Sequence, residues 1–401
     1  MVLPPRKVSW ALAIAIAIAL IVILVVLLHL IGGWVYANGF RKSTLRIQPP
    51  RRTFGVWVRS VDKRRITLTA AGPRQDIGHP GTLGIYWEGG YGRIGEVIGV
   101  DGLDVTREYT QLEGDTPPIC THESLETCPP VDLEGYAYPS DPSDVDLVYR
   151  EATYESPLGP IGAWIVPATD ASTWAIHIHG WTAERREAVR LLPTLHTVGV
   201  TSLVIDYRND PGAPRDPTGH YRFGQSEWED VEGAAQYAVD HGAVNIILVG
   251  YSTGAAHVMS FLERSELAER TTGVVLDSPN ILFAEAVRHG SQDLRFSPTK
   301  IRVSRLVTEF GMWIADLRWQ IGWEATNYVQ RAMTILTVPT LVFHGIADLR
   351  VPISVSRQLE ARARNVVTLV ETPAAGHVMS WNADPGRYEK YLADFVGKLQ
   401  N

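Results

Sequence analysis

The apolar positions of this chain change character as it is read from the amino terminus. From Trp10 to Leu28 every residue is apolar, "WALAIAIAIALIVILVVLL", and after His29 the apolar run resumes as far as Tyr36. About 20 apolar residues cross the ~30 Å hydrocarbon core of a bilayer. Trp10 at one end, with Trp34 and Tyr36 at the other, suits the two interfaces. The pattern predicts a retained membrane-spanning helix over residues 8–36. A cleaved signal peptide has a shorter apolar core of about 7–15 residues and a small-residue cleavage site, which "YANGF" matches poorly. "ANGFRKSTLRIQPPRR" then reads as a polar linker in which Pro49 and Pro50 resist helix.

Residues 53–112 change to short β-branched and aromatic runs. "TFGVWVRSV" and "RRITLTA" have strand character, and "GTLGIYWEGGYGRIGEVIGV" reads as two strands around a Gly89-Gly90 turn. The expectation is a small antiparallel β module that assembles no catalytic set, an accessory or spacer domain. Residues 113–147 form an acidic, Pro-rich loop without Lys or Arg from Glu113 to Asp146, expected to be a solvated connection, with a cover over the catalytic face as the alternative.

From about Ser156 unalternated apolar runs appear: "TWAIHI", "SLVIDY", "NIILV", "GVVLD", "TLVFH" and "VVTLV". Such runs suit strands buried on both faces of a parallel sheet. Helical patterns fall between them, around Ala183–Thr197, Ser226–Val239, Thr253–Arg264, Val355–Arg364 and Arg387–Leu399. The fold class is α/β: a doubly wound, mostly parallel sheet over 156–400 with a helical cap at about 281–333. Its active site belongs outside the carboxyl ends of the strands. Within the cap, "GMWIADLRWQIGW" carries Trp313, Trp319 and Trp323, which either pack the cap onto the core, wall an acyl pocket or form a surface meeting lipid.

Composition adds less. The 401-residue chain is 45% hydrophobic and 20% charged, ordinary for a globular protein. Its formal charge of −7, without a basic stripe beyond residue 52, disfavours a nucleic-acid partner. Orientation in the membrane stays open. Arg41, Lys42, Arg46, Arg51 and Arg52 after the span, against Arg6 and Lys7 before it, favour a cytoplasmic catalytic domain. The paired Cys120 and Cys128 in an otherwise Cys-free chain suggest a disulfide and an oxidising side; the alternative is two free thiols. Oligomeric state is left unknown.

The candidate chemistry starts at "NIILVGYSTGAAHVMSF". G-x-S-x-G stands between a predicted strand and a predicted helix, the context of a nucleophile elbow, with Ser252 as nucleophile between Gly250 and Gly254. A serine hydroxyl needs a base, and the elbow places acid and base later in the order Ser, Asp, His. Asp348 in "VFHGIADLRVP" and His377 in "ETPAAGHVMSW" both fall in loops at strand ends. Asp277 is the rival acid. Asp206 is expected to fix a loop, with Arg208 as partner, while His257 and His344 are expected to be packed or structural. An oxyanion hole needs backbone N–H groups. Thr253 supplies one, and "HIHGW" supplies the other at Trp181, with Gly180 permitting tight geometry and His179 shaping the loop. No H-E-x-x-H or C-x-x-C pair points to a metal.

In their order, "HIHGW", "VIDYR", "GYSTGA", "HGIADLRVP" and "GHV" resemble the α/β-hydrolase superfamily, in particular its serine aminopeptidase-like, prolyl-oligopeptidase-like and monoacylglycerol-lipase-like esterase branch. "SPLGPIGAWIVPA" suits the same branch. The resemblance leaves out the membrane span and the β module. It implies a cofactor-free serine hydrolase with Ser252, Asp348 and His377 as triad, acting on a small-molecule ester or other acyl substrate, lipid esters included. A peptidase sharing the triad and a non-catalytic, tethered binding domain are the alternatives.

Overall fold

The computed structural model describes residues 10–48, 54–70, 76–121, 125–296 and 300–400. Arg6, Lys7, Pro49, Pro50, Arg51 and Arg52, used above for charge and linker arguments, lie outside the described residues.

Helix α1 (Trp10–Phe40) carries the apolar run and continues as a π-helical turn over Arg41–Leu45. It is long and apolar enough to cross a membrane, and its side chains are exposed at every position from Trp10 to Leu28. The helix extends past the expected end at Tyr36 because its last turns are packed: Gly33, Tyr36, Ala37 and Phe40 are buried.

The β module is a six-stranded sheet of β1 (Val56–Val61), β2 (Arg65–Ala70), β3 (Leu83–Trp87), β4 (Gly90–Asp101), β5 (Asp104–Gly114) and β6 (Asp132–Glu134). The strand order is β1-β2-β5-β4-β3-β6, antiparallel throughout. Period-2 alternation sends Val56 and Val58, Ile66 and Leu68, and Ile85 and Trp87 into one core. The segment 113–147 departs from the expected solvated connection. It supplies β6, and the backbone N–H groups of Cys120 and Val131 donate to Val58 O and Val56 O, each at 2.7 Å. Cys120 and Cys128 are joined as a disulfide. Glu134 takes two bonds from the Arg186 guanidinium at 2.6 and 2.9 Å. Acidic composition reads as solvation only while the distant cation is unknown.

The larger sheet begins earlier than Ser156, with the antiparallel hairpin β7 (Arg150–Ser156) and β8 (Gly159–Val166). β7 is an edge strand with exposed alternate positions, so it lacks the continuous apolar run that marks its neighbours. β9 (Asp170–Ile178), β10 (Val200–Ile205), β11 (Asn245–Tyr251) and β12 (Thr271–Asp277) follow, with α2 (Leu192–Thr197), α3 (Trp228–Asp240) and α4 (Gly254–Arg264) between them. The helix expected over Ala183–Thr197 is a 3-10 turn, Arg185–Leu191, ahead of α2, which has Pro193 in its first turn. An insertion holds α5 (Phe283–Ser291), the two-residue pairs β13 (Arg295–Phe296) and β14 (Ile301–Arg302), α6 (Arg305–Trp319) and α7 (Ala332–Ile335). β15 (Thr340–Gly345), α8 (Ser354–Arg362), β16 (Val367–Thr372), α9 (Ser380–Ala383) and α10 (Pro385–Leu399) complete the chain. The order is β16-β15-β12-β11-β9-β10-β8-β7, parallel from β16 to β10.

Successive residues of β11 explain its unalternated sequence. Ile246 and Leu248 pack with Val231 of α3, Val258 of α4 and Val355 of α8. Ile247 and Val249 pack on the other face with Leu192 and Leu195 of α2 and Leu392 of α10. Each such fully buried side chain contributes about 1.5–3 kcal/mol.

Val287–Trp323 of the insertion forms one compact unit with α1 and the residues up to Arg46. Gly33 and Gly311 face each other, Arg318 Nη1 donates to Asn38 Oδ1 at 3.2 Å, and Arg41 lies 5.4 Å over the Trp319 ring. Trp323 sits beside Phe40 and donates to Met312 O. Trp319 and Trp323 therefore pack within this unit, while Trp313 is 55% exposed.

Candidate active site

Ser252 follows the last residue of β11 and precedes the first of α4, with φ +49°, a left-handed backbone that non-glycine residues seldom adopt. Two hydrogen bonds hold it there: Ser252 N donates to Asp277 O at 2.8 Å, and Asn280 N donates to Ser252 O at 2.9 Å. Such strain costs on the order of 1–3 kcal/mol and persists where surrounding contacts over-determine it. The flanking glycines let the turn close. A Cβ on Gly254 would stand 2.1 Å from Ile178 O at the end of β9, and one on Gly250 would meet the Ala255 backbone at 2.8 Å.

His377, in the loop after β16, brings Nε2 to 2.7 Å from Ser252 Oγ. Its Nδ1 lies 2.7 Å from Asp348 Oδ2. Asp348, in the loop after β15, accepts at Oδ1 from the N–H groups of Arg350 and Val351 at 2.8 and 2.9 Å. His344 Nε2 stands 3.3 Å from Oδ2. Burial alone raises the Asp348 carboxyl, but the hydrogen bonds from His344 and His377, the His377 charge and the Val351 N–H outweigh it and hold Asp348 well below the usual carboxylate range. The three residues predicted from motif order are thus brought together. His344 does more than end a strand, because it braces Asp348 from one helical turn's spacing away. Asp277 lies elsewhere: its side chain takes the Tyr388 hydroxyl at 3.2 Å, and burial pushes it up to about 6.

The loop after β9 lies against the serine, so that a Cβ on Gly180 would be 3.2 Å from Ser252 Cβ. Its peptides are clamped. Gly180 N donates to Glu187 Oε2 at 2.8 Å, and Gly180 O is met by His179 Nδ1 at 2.9 Å and the Tyr207 hydroxyl at 3.0 Å. Across a trans peptide the carbonyl and the next N–H point in opposite directions. Anchoring Gly180 O on His179 and Tyr207 therefore turns the Trp181 N–H away from them. Among the described residues no hydrogen bond within the protein engages the backbone N–H of Trp181 or of Thr253. His179 Nε2 pairs with Asp210 Oδ2 at 2.9 Å. Burial lowers the His179 pKa, and the Asp210 charge and hydrogen bond more than offset it, lifting the imidazole to about 9.

Glu187, Tyr207 and Asp210 were missed from sequence, since Glu187 lies in the turn after β9 and Tyr207 and Asp210 in the loop after β10, and no spacing ties either segment to His179 or Gly180. Asp206 pairs with Arg185 at 3.1 Å rather than with Arg208, which pairs with Asp230 at 2.7 Å. His257 packs edge-on to Tyr207, as expected of a buried helix residue. His177 of the same "HIHGW" stretch is buried between Tyr251 and Ser202 hydroxyls, and burial pushes it down to about 3. The ligand atoms of His179, Asp206 and Asp210 lie within 4.8 Å of one another, the spacing of a metal site. Each of them is already engaged, by Asp210, Arg185 or the Tyr207 N–H.

The sequence model of the alpha/beta hydrolase family matches residues 175–390, more than half of the chain. The chain belongs to the alpha/beta hydrolase family. The β module is matched separately, at residues 57–120, by a domain of unknown function (DUF8805). Among solved structures, an esterase of Pyrococcus furiosus in two crystal forms is 17% and 18% identical. It covers 65% of this chain and 96% and 95% of that one, with TM-scores of 0.50 and 0.51. At that identity the likeness concerns the hydrolase fold. No curated protein sequence matches the chain.

Proposed function

We propose that this alpha/beta hydrolase is a membrane-anchored serine esterase in which Ser252, His377 and Asp348 form the triad. The observation that carries the reading is the continuous relay of two 2.7 Å contacts from Ser252 Oγ through His377 to Asp348. His377 Nε2 takes the Ser252 proton as Oγ attacks the ester carbonyl, and the ionised Asp348 holds the imidazole and stabilises its charged form. The Thr253 and Trp181 N–H groups receive the oxyanion, an interaction for which each donor is worth roughly 10²–10³ in rate. His377 then protonates the departing alcohol. Water, deprotonated by the same imidazole, cleaves the acyl-enzyme and frees the acid.

The reaction needs no cofactor in this reading. Anchoring through α1 is supported by the exposed apolar surface from Trp10 to Leu28. In this reading the substrate is a carboxylic ester, lipid esters included. An oxidising side for the catalytic domain is supported by the Cys120–Cys128 disulfide.

The test is fluorophosphonate labelling of the full chain in detergent micelles. Wild type is expected to label and to hydrolyse p-nitrophenyl esters faster than aminoacyl or prolyl amides, and Ser252→Ala to do neither. Equal labelling of the two proteins overturns the assignment of Ser252, and faster amide cleavage overturns the ester assignment in favour of a peptidase.

A further inference from the structure

We propose that the β module, the part matched by a domain of unknown function, is the support that holds the His377 loop in its working position, with His79 as a positioning residue. The proposal rests on the triad reading above, but its observations are separate ones. They concern residues 376–382, which begin beside His377 and end in α9, and the module loop 76–82 between β2 and β3.

The two segments are joined at both ends. At one end Gly376 N, the amide directly before His377, donates to His79 Nε2 at 3.4 Å. His79 Nδ1 lies 2.7 Å from Pro80 O, which assigns the proton to Nδ1 and leaves Nε2 as an acceptor. At the other end Thr82 N donates to Asn382 O at 2.8 Å, and Asn382 Nδ2 donates back to Thr82 O at 2.7 Å and to Gly135 O at 2.8 Å. Between these ends Met379 packs against the apolar core of the module. A side chain two residues from the base, itself half-buried, therefore rests against the module's core. The fit is close enough to require glycine: Gly81 has φ +79°, and a Cβ there would stand 1.8 Å from Asn382 O.

The module side of this joint is itself fixed by an uncommon device. Arg107 of β5 is fully buried, and its hydrogen bonds go to backbone carbonyls: Ile77 O at 3.1 Å, Gly81 O at 2.5 Å, and Gly95 O at 2.9 and 2.6 Å. Burial pulls even this guanidinium down to about 10. A buried cation is costly, and here its donors tie the loop 76–82 to β4 and β5. The chain of contacts runs from Arg107 to the loop, from the loop to Gly376 and Asn382, and so to His377. From the opposite side the same loop is held by Val378 N on Ser278 Oγ at 2.9 Å and by Ala347 N on Ala375 O at 3.0 Å. His377 thus sits on a loop gripped from two sides, one of them the module.

Displacing a catalytic group by about 1 Å can cost on the order of 10² in rate. The experiment compares kcat and KM of the full chain in detergent, on a p-nitrophenyl ester, for wild type, His79→Ala, His79→Gln and Gly81→Ala. His79→Ala is expected to lower kcat about 10-fold with KM within about twofold. His79→Gln, whose amide oxygen can accept from Gly376 N–H, is expected to recover most of that loss. Gly81→Ala, which drives the Asn382 carbonyl away, is expected to lower kcat further. Unchanged kcat in both His79→Ala and Gly81→Ala overturns the proposal, as does a loss in His79→Ala that His79→Gln leaves in place. A wild type that neither hydrolyses the ester nor takes the fluorophosphonate overturns the triad reading itself, and an active wild type with unaltered variants overturns only the role of the module.

Discussion

At the scale of single residues, the chemistry proposed for this chain depends on groups that hold other groups in place. Ser252, His377 and Asp348 stood out in the sequence because each belongs to a motif at a strand end. His179 was visible as part of "HIHGW", but its partners Asp210 and Tyr207 were not, because side-chain pairing across loops leaves no spacing to read. The His179–Asp210 pair has a consequence for pH. The folded imidazole is raised to about 9, against an ordinary value of 6.5. The folded state therefore binds that proton more tightly than the unfolded chain, and the stability it contributes is complete below about 6.5 and lost as pH rises through about 9. The melting temperature is expected to fall across this window, and Asp210→Asn to remove the fall. A calorimetric series with the same slope in both proteins would contradict a charged pair. Asp206 and Asp277, each raised to about 6 by burial, act in a lower window: their contribution falls as pH rises from about 4 to about 6.

At the scale of elements, the core strands were legible because residues buried on both faces leave unalternated apolar runs. β7 and β6 were not legible, for opposite reasons. β7 is an edge strand with only one side to bury, and β6 is three residues long within acidic sequence. The element on which the site turns is the start of α4 against the end of β9. Gly254→Val forces a side chain onto Ile178 O and is expected to cost about 1–3 kcal/mol. Because α4 carries the Thr253 N–H, fluorophosphonate labelling is expected to slow in the same variant. Urea unfolding gives the first quantity and labelling rates the second. A wild-type urea midpoint in Gly254→Val would show that the helix has room to spare there.

At the scale of the whole molecule, pieces that the sequence presented as separate are tied together within each of two compact units. The insertion after β12, expected as a cap, packs its α6 along the last turns of α1. The module expected to be a spacer meets the loop of His377. If α1 spans a membrane, the full chain stays in the membrane pellet after alkaline carbonate extraction, and added protease digests the catalytic domain only from the oxidising side of that membrane. Release of a shortened soluble chain would identify α1 as a cleaved signal segment instead.

The sequence by itself determined the apolar helix, the α/β class, the order of the core strands along the chain and the three residues proposed as triad. Those properties are local: periodicity counts buried faces, and a motif sits within one strand, turn and helix. Tertiary structure alone decided partners. Arg208 met Asp230 instead of Asp206, Glu134 met Arg186, and Asn382 met Thr82 across 300 positions of sequence. A pattern of apolar positions says that a face is covered, and an acidic run says that charge is present. Neither says by what, because the covering residue is chosen by the packing of elements that lie far apart in the chain.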